Sequence, residues 1–408
     1  MSYFIINPSN LSPEMQLLLV LSMASMHEED YERVRMLTTS PIDWEAFITL
    51  VDRHRVIPKV YRNLNGLDGN GVPEQIRRSL QNRFERNAKR SLALTAELVR
   101  LIKLLKKNGI SVVPLKGPVL ALQVYGDLGM RHAGDLDLLV APEHIGQAEQ
   151  LIRQEGYQSM HPDFSLSPRQ QKVYTRQQHH FVYYQDNRKI SMELHWRWNS
   201  NPYLFQLDMD YVWERGQTID IAGTRMVTLP VEDLLLYLCT HGAKHAWFRI
   251  FWLCDVAELM HRNQSIDWAQ MMKRAAELAV QRPLAQALVL SNLLLESPLP
   301  DLFRDYLERD RGAKSLVNVA LRIIMQPTVL PSRPFTSGYI LSKLHNFSLN
   351  RDFKYKLLVF QGQICTIPYD WQTVPLPDIL FPLYYVLRPF MWFWRIYIQG
   401  IMKRLHIG

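Results

Sequence analysis

The segment RHAGDLDLLVAP, residues 131 to 142, sets Asp135 and Asp137 one residue apart in what otherwise reads as a buried β-strand. Side chains alternate across a strand, so the two carboxylates share one face while Leu136, Leu138 and Val140 share the other. Neighbouring carboxylates repel and resist burial unless a cation stands between them. This strand therefore has to be built around positive charge. Mg²⁺ suits the role, because it takes oxygen ligands and usually keeps waters and substrate phosphate oxygens beside one or two carboxylates.

A second strand supplies a third acid. In ISMELHWRW (190 to 198), Ile190, Met192, Leu194 and Trp196 form an apolar face, which leaves Ser191, Glu193, His195 and Arg197 on the other. If this strand pairs with the first, Glu193 joins the aspartates in the arrangement that two-metal phosphoryl transfer needs. Upstream, PLKGPVLA puts Lys116 and Gly117 at a strand-to-helix turn. There a cation, a close-approaching glycine and free helix N–H groups can cradle phosphates. Arg131 can contact those phosphates or buttress the carboxylates, and an ion pair with Asp135 would look the same in sequence. His195 reads either as a base or nucleotide contact or as a hydrogen-bonded structural histidine.

Further on, THGAKHAWFRIFWLCD sets His241 and His245 one helical turn apart with Lys244 between them. The Glu of an H-E-x-x-H zinc motif is absent, since position 242 is Gly. Asp255, within the apolar turns of this helix, reads as a cap or a paired group in the core. Taken alone, a D-x-D is a weak signal that surface strands also carry. Its weight comes from company with the K-G turn, Arg131 and E-L-H-W.

Periodicity makes residues 12 to about 108 helical, with a helix ending in Lys-Lys-Asn-Gly. Strand SVVPL, helix KGPVLALQVYG, strand GDLDLLV, a helix over 142 to 157 and a hairpin over 179 to 198 follow, turning at Asp186-Asn187-Arg188. The fold class expected is α/β (α+β): a small mixed β-sheet core flanked by N-terminal and C-terminal helical regions. The expected divisions are 1–90 N-terminal helices, 91–228 core, 229–330 helices completing the cleft, and 331–408 a C-terminal extension. LLLVLSMASM (17 to 26) lacks a basic flank and reads as a buried helix rather than a signal peptide. Three widely spaced cysteines, Cys239, Cys254 and Cys365, read as reduced core residues of a cytoplasmic protein. The apolar run 379 to 402 is interrupted by Pro382, Arg388, Pro389 and Arg395, which argues against a membrane span. It reads as a packed terminal helix, with peripheral membrane contact near Trp392, Trp394, Lys403 and Arg404 as the alternative. A net charge of +8 favours an anionic partner such as nucleotide phosphate. No RNA-binding module is evident.

LKGPVLALQVYGDLGMRHAGDLDLLV followed by MELHW resembles the nucleotidyltransferase superfamily with the DNA polymerase β-like fold. It is closest in pattern to a bacterial uncharacterised nucleotidyltransferase family marked by L-K-G, R-x-x-G-D-x-D-L-L-V and E-L-H-W. The resemblance spans roughly residues 90 to 260 and implies that Asp135, Asp137 and Glu193 bind two Mg²⁺ ions and carry catalysis, with Glu193 nearest the attacking oxygen. It implies binding of a nucleoside triphosphate such as ATP, with Lys116, Gly117, Arg131, His195, His241, Lys244 and His245 as cofactor-binding residues. The superfamily's usual Gly-Ser turn is Lys116-Gly117 here, as in related toxin-type enzymes, which leaves a nucleotide sugar open as the donor. The implied activity is Mg²⁺-dependent nucleotidyl transfer to an acceptor oxygen of a peptide, sugar or small molecule in a biosynthetic cluster. The alternatives are sugar transfer from a nucleotide sugar to a phosphate, toxin-type transfer to tRNA, a non-catalytic nucleotide-binding module, and a membrane-associated structural protein.

Overall fold

The computed structural model describes residues 11–66, 71–132, 134–326 and 337–394. Five strands make one sheet: β1 (Val112–Pro114), β2 (Asp135–Val140), β3 (Gln158–His161), β4 (His180–Gln185) and β5 (Ile190–His195). Their order is β1-β2-β5-β4-β3. β2 and β5 run parallel, and the other neighbours are antiparallel. A separate hairpin pairs β6 (Gln217–Ile221) with β7 (Thr224–Thr228). This is the small mixed sheet with helical flanks that the sequence pattern implies, and the β4–β5 hairpin turns where expected. The expected strand list, however, lacks β3 and the β6–β7 hairpin. Gln-Ser-Met-His is almost wholly exposed and β6 has one buried residue, so neither carries an apolar alternation.

One long helix organises the sheet. Glu74–Lys107 spans 34 residues and runs unbroken across position 90. Its Leu94, Leu98, Leu101, Ile102 and Leu105 pack on Leu136, Leu138, Met192 and Leu194, the apolar faces of β2 and β5. Burying that face leaves the opposite, carboxylate-bearing face for chemistry. The helix ends as its sequence suggests, with Lys106 and Lys107 in the last turn and Gly109 at φ 74°.

A second core joins the two flanks. Helices Pro13–Val20, Trp44–His54 and Ile57–Asn65 share apolar contacts with Val231–Lys244, Phe251–Arg262 and Gln281–Leu295. Leu17, Leu18, Val20 and Leu21 are fully buried there. So are Cys239 and Cys254, both free thiols, whereas Cys365 is only half-buried. A buried ion pair, Lys59 to Glu258 at 2.5 Å, ties the N-terminal helices to the later ones. Trp371, Phe381 and Tyr384 bring the C-terminal segment onto the sheet's own core. The apolar run ends in a described helix, Leu383–Phe393, while residues 395–408, with Lys403 and Arg404, lie outside the described residues. No described helix is long and apolar enough to cross a membrane.

His54 and His345 are buried at 0% and 1% exposure. The His54 ring accepts the Ile250 N–H at 3.3 Å, and His345 lies 2.9 Å from the Gln286 amide. Burial, reinforced at His54 by Arg53 and Arg249, lowers each ring to about 3. Both stay neutral in the fold but protonate in the unfolded chain as pH falls below about 6.5, so acid favours unfolding. Moving from pH 7 to pH 5 should cost about 2 kcal/mol for each histidine. Urea unfolding at the two pH values checks this, and His54→Gln should show the smaller loss; equal midpoints in the parent protein would contradict it.

Candidate active site

The parallel register sets Asp135 opposite Ser191 and Asp137 opposite Glu193. The strand faces deduced from alternation therefore meet, and Glu193 stands beside the aspartates. Asp137 is buried to 1% exposure, and its Oδ1 is 2.9 Å from the Lys116 ammonium and 3.2 Å from His195 Nε2. His195 Nε2 also lies 3.1 Å from Glu193 Oε2. One imidazole thus bridges two carboxylates on neighbouring strands.

The charges lock one another in place. Burial alone would raise Asp137, but Lys116 and His195 hold it well below the usual carboxylate range. Burial alone would lower Lys116 and His195; the surrounding carboxylates, Asp137 foremost, raise both. At Asp135 burial and repulsion from Asp137 outweigh the pull of Lys116 and raise it to about 6. Two carboxylates on one strand face are thus shifted in opposite directions by their surroundings.

The Lys-Gly turn is built as the sequence suggests. Leu115 N–H donates to the Asp137 carbonyl at 3.0 Å, and Gly117 at φ 67°, ψ −137° opens helix Pro118–Tyr125. A Cβ at Gly117 would come within 3.2 Å of the Asp135 carbonyl oxygen, so the turn and β2 touch through backbone. Long-helix side chains brace the loop ahead of β2. Asn87 donates to the Gly129 and Arg131 carbonyls and Arg90 to the Gly134 carbonyl.

Arg131 makes its direct ion pair with Asp255 and not with Asp135, while its charge still acts on Asp135 and Asp137. Its guanidinium pairs with Asp255 at 3.0 Å in a fully buried contact that Tyr125 completes, lying over the Phe251 ring. Asp255 is the paired core group its apolar helix suggested. His241 and His245 lie side by side, ring centres 4.9 Å apart, with the His245 ring stacked on Trp252. Gly242 between them is required, because a Cβ there would meet the Trp247 indole at 2.2 Å. Lys244 ends the same helix close enough for Lys116 and Glu193 to act on its charge.

Several neighbours escaped the sequence reading. His179 lies just ahead of β4 and His180 opens it; His180 pairs in register with His195, and its Nε2 is 3.9 Å from Glu193. The His-His doublet facing E-L-H across a hairpin was the available signal. Arg55, in the left-handed conformation that ends helix Trp44–His54, and Arg249 both interact with the Asp135 charge. They are distant in sequence and carried none.

Among the described residues, two groups of potential metal ligands converge with donor atoms within 4.8 Å of one another: Asp137, Glu193 and His195, and His179, His180 and His195. Asp135 belongs to neither. Asp137 Oδ2 is buried without a hydrogen-bond partner, a carboxylate oxygen left over for a ligand. Hard carboxylate oxygens with one oxygen unsatisfied fit an oxygen-seeking divalent ion such as Mg²⁺. Residues 40–296, more than half of the chain, match a family described as "Uncharacterised nucleotidyltransferase". No curated protein and no solved structure matches the chain.

Removing one member of the Lys116–Asp137 pair strands a buried charge. Lys116→Met should lower stability by about 3 kcal/mol at neutral pH, and the double variant Lys116→Met/Asp137→Asn should recover most of it. Denaturant unfolding of the four proteins checks this; additive losses would show that the pair does not interact.

Proposed function

The chain belongs to this nucleotidyltransferase family, and from that premise we propose that it moves a nucleotidyl group from a nucleoside triphosphate to an acceptor oxygen. The observation carrying the reading is the parallel pairing that sets Asp137 opposite Glu193, with Lys116 2.9 Å from Asp137. Asp137 and Glu193, with Asp135 beside them, would hold Mg²⁺, which neutralises phosphate charge and polarises the phosphorus centre. Lys116 and the Gly117 backbone at the helix start suit the donor phosphates. An acceptor hydroxyl attacks the α-phosphorus as Glu193 takes its proton. The new P–O bond forms as the bond to pyrophosphate breaks. Most of the acceleration is electrostatic positioning, as in phosphoryl transfer generally. Arg131, Asp255 and Tyr125 act at a distance, stiffening the loop that leads into β2.

Acceptors of biosynthetic type, a peptide, sugar or small molecule, come first, and a tRNA end, favoured by the net charge of +8, second. A peripheral contact with an anionic membrane is supported by a separate observation. Of the twenty-one large hydrophobic side chains exposed among the described residues, sixteen fall within residues 337–394. Helix Phe353–Ile364 shows Phe353, Leu357, Phe360 and Ile364 as one outward stripe, and helices Ser337–Ser348 and Leu383–Phe393 carry similar faces. These three helices contain no Asp or Glu, and Lys343, Lys354 and Lys356 supply positive charge, the pattern of a surface that meets anionic lipid headgroups, whereas Arg388 is buried against Asp370.

A donor screen tests the transferase reading. Protein, Mg²⁺ and each labelled nucleoside triphosphate or nucleotide sugar are incubated in a cell extract supplying the acceptor. Label should enter a new species with the parent protein, and the rate should fall at least about 10³-fold with Asp137→Ala. Equal transfer by Asp137→Ala would sink the assignment. For the membrane contact, sedimentation with phosphatidylglycerol vesicles should retain the protein, and Phe353→Ser/Phe360→Ser should release it. Equal retention of parent and variant would dispose of that contact.

A further inference from the structure

A cavity of about 530 Å³ opens beyond the end of β5. Arg197, just past the strand, and the exposed Arg176, near the end of helix Pro168–Gln177, line one side of it. Lys244 reaches it from the end of helix Val231–Lys244, and Lys343 and Asn346 close it from helix Ser337–Ser348. Four cations therefore line one cavity, and no Asp or Glu does. Among the described residues none of the four is in a salt bridge. Arg197 is fixed in place by donating to the Thr175, Arg176 and Gln178 carbonyls, yet its Nε is buried without a partner. Burial and the nearby Lys116 charge, against the pull of Glu193, lower the Lys244 ammonium to about 8. Like charges gathered without counter-charge repel, and an anion of matching size relieves them. The volume is that of a small-molecule site.

The Lys116–Gly117 turn follows β1, the carboxylates ride on β2 and β5, and the cavity continues from β5. Lys244 ties the cavity to the carboxylates, because both Lys116 and Glu193 act on its charge, so a ligand there would border the acids beside the donor phosphates. We propose that this cavity is the acceptor subsite and that it takes a small molecule bearing a phosphate group, with a hydroxyl directed toward Glu193. The assignment rests on the transferase reading and deepens it. Lys343 and Asn346 lie beyond residue 296, so acceptor choice depends on a segment outside the family match.

Pyridoxal 5′-phosphate is the probe, a phosphate-bearing aldehyde. Its aldehyde condenses with a neutral lysine amine to an imine and water, and added borohydride supplies the hydride that fixes the link for peptide mapping. Lys244 should be labelled about tenfold faster than exposed lysines, because it is the more readily deprotonated. Inorganic phosphate should protect it, pyridoxal lacking the phosphate should show no preference, and Arg176→Glu or Lys343→Glu should cut labelling about tenfold. Labelling no faster than at surface lysines, or insensitive to phosphate, would overturn the proposal. Protection by Mg²⁺·ATP at lower concentration than by phosphate would also overturn it, by making the cavity the donor's. The label needs no turnover: a positive label with a negative donor screen would overturn the acceptor role while leaving an anion site.

Discussion

The structure turns on one buried carboxylate. Asp137 sits at 1% exposure in a strand whose other face is core, where an isolated charge would not survive. It is held by an ammonium from the turn after β1 and an imidazole from β5, so three strands of the sheet are joined through a single side chain. The pair restricts where the strands can sit. A one-residue slip of β5 would turn Glu193 and His195 into the apolar layer and bring Met192 and Leu194 out to Asp137. Electrostatics and hydrophobic packing thus select the same register.

Around that centre lies a graded set of charges. Arg131 and Asp255 neutralise each other at full burial, Lys116 and Asp137 do so at the edge of the cleft, and Asp135 near Arg55 and Arg249 keeps a partial compensation. Toward the C-terminal helices the balance tips to uncompensated cations.

Much of this was legible in the chain. Alternation in GDLDLLV and ISMELHW gave the two polar faces, because a half-buried strand writes its burial into every second residue. The Lys-Gly turn was legible because few residues tolerate the backbone that Gly117 adopts. What stayed hidden is non-local. Arg131 sits four positions from Asp135, and its actual partner, Asp255, is 124 positions away, a choice made by tertiary packing. His179 and His180 look like ordinary strand residues until the hairpin folds them over Glu193. β3 could not be seen, because an exposed edge strand has no burial pattern to display.

The parallel pairing of β2 with β5 also orders events in time. Antiparallel neighbours such as β4 and β5 can zip from their own turn, whereas β2 must wait for some fifty later residues before its partner exists. During synthesis Asp137 and Lys116 emerge well before His195, so a growing chain carries a half-built, charge-rich strand edge that nothing yet covers. The long helix Glu74–Lys107, made of local contacts and already complete by then, offers β2 an apolar surface on which to wait. Pairing of β2 with β5 thus waits on later chain, and the long helix gives β2 an apolar surface in the meantime.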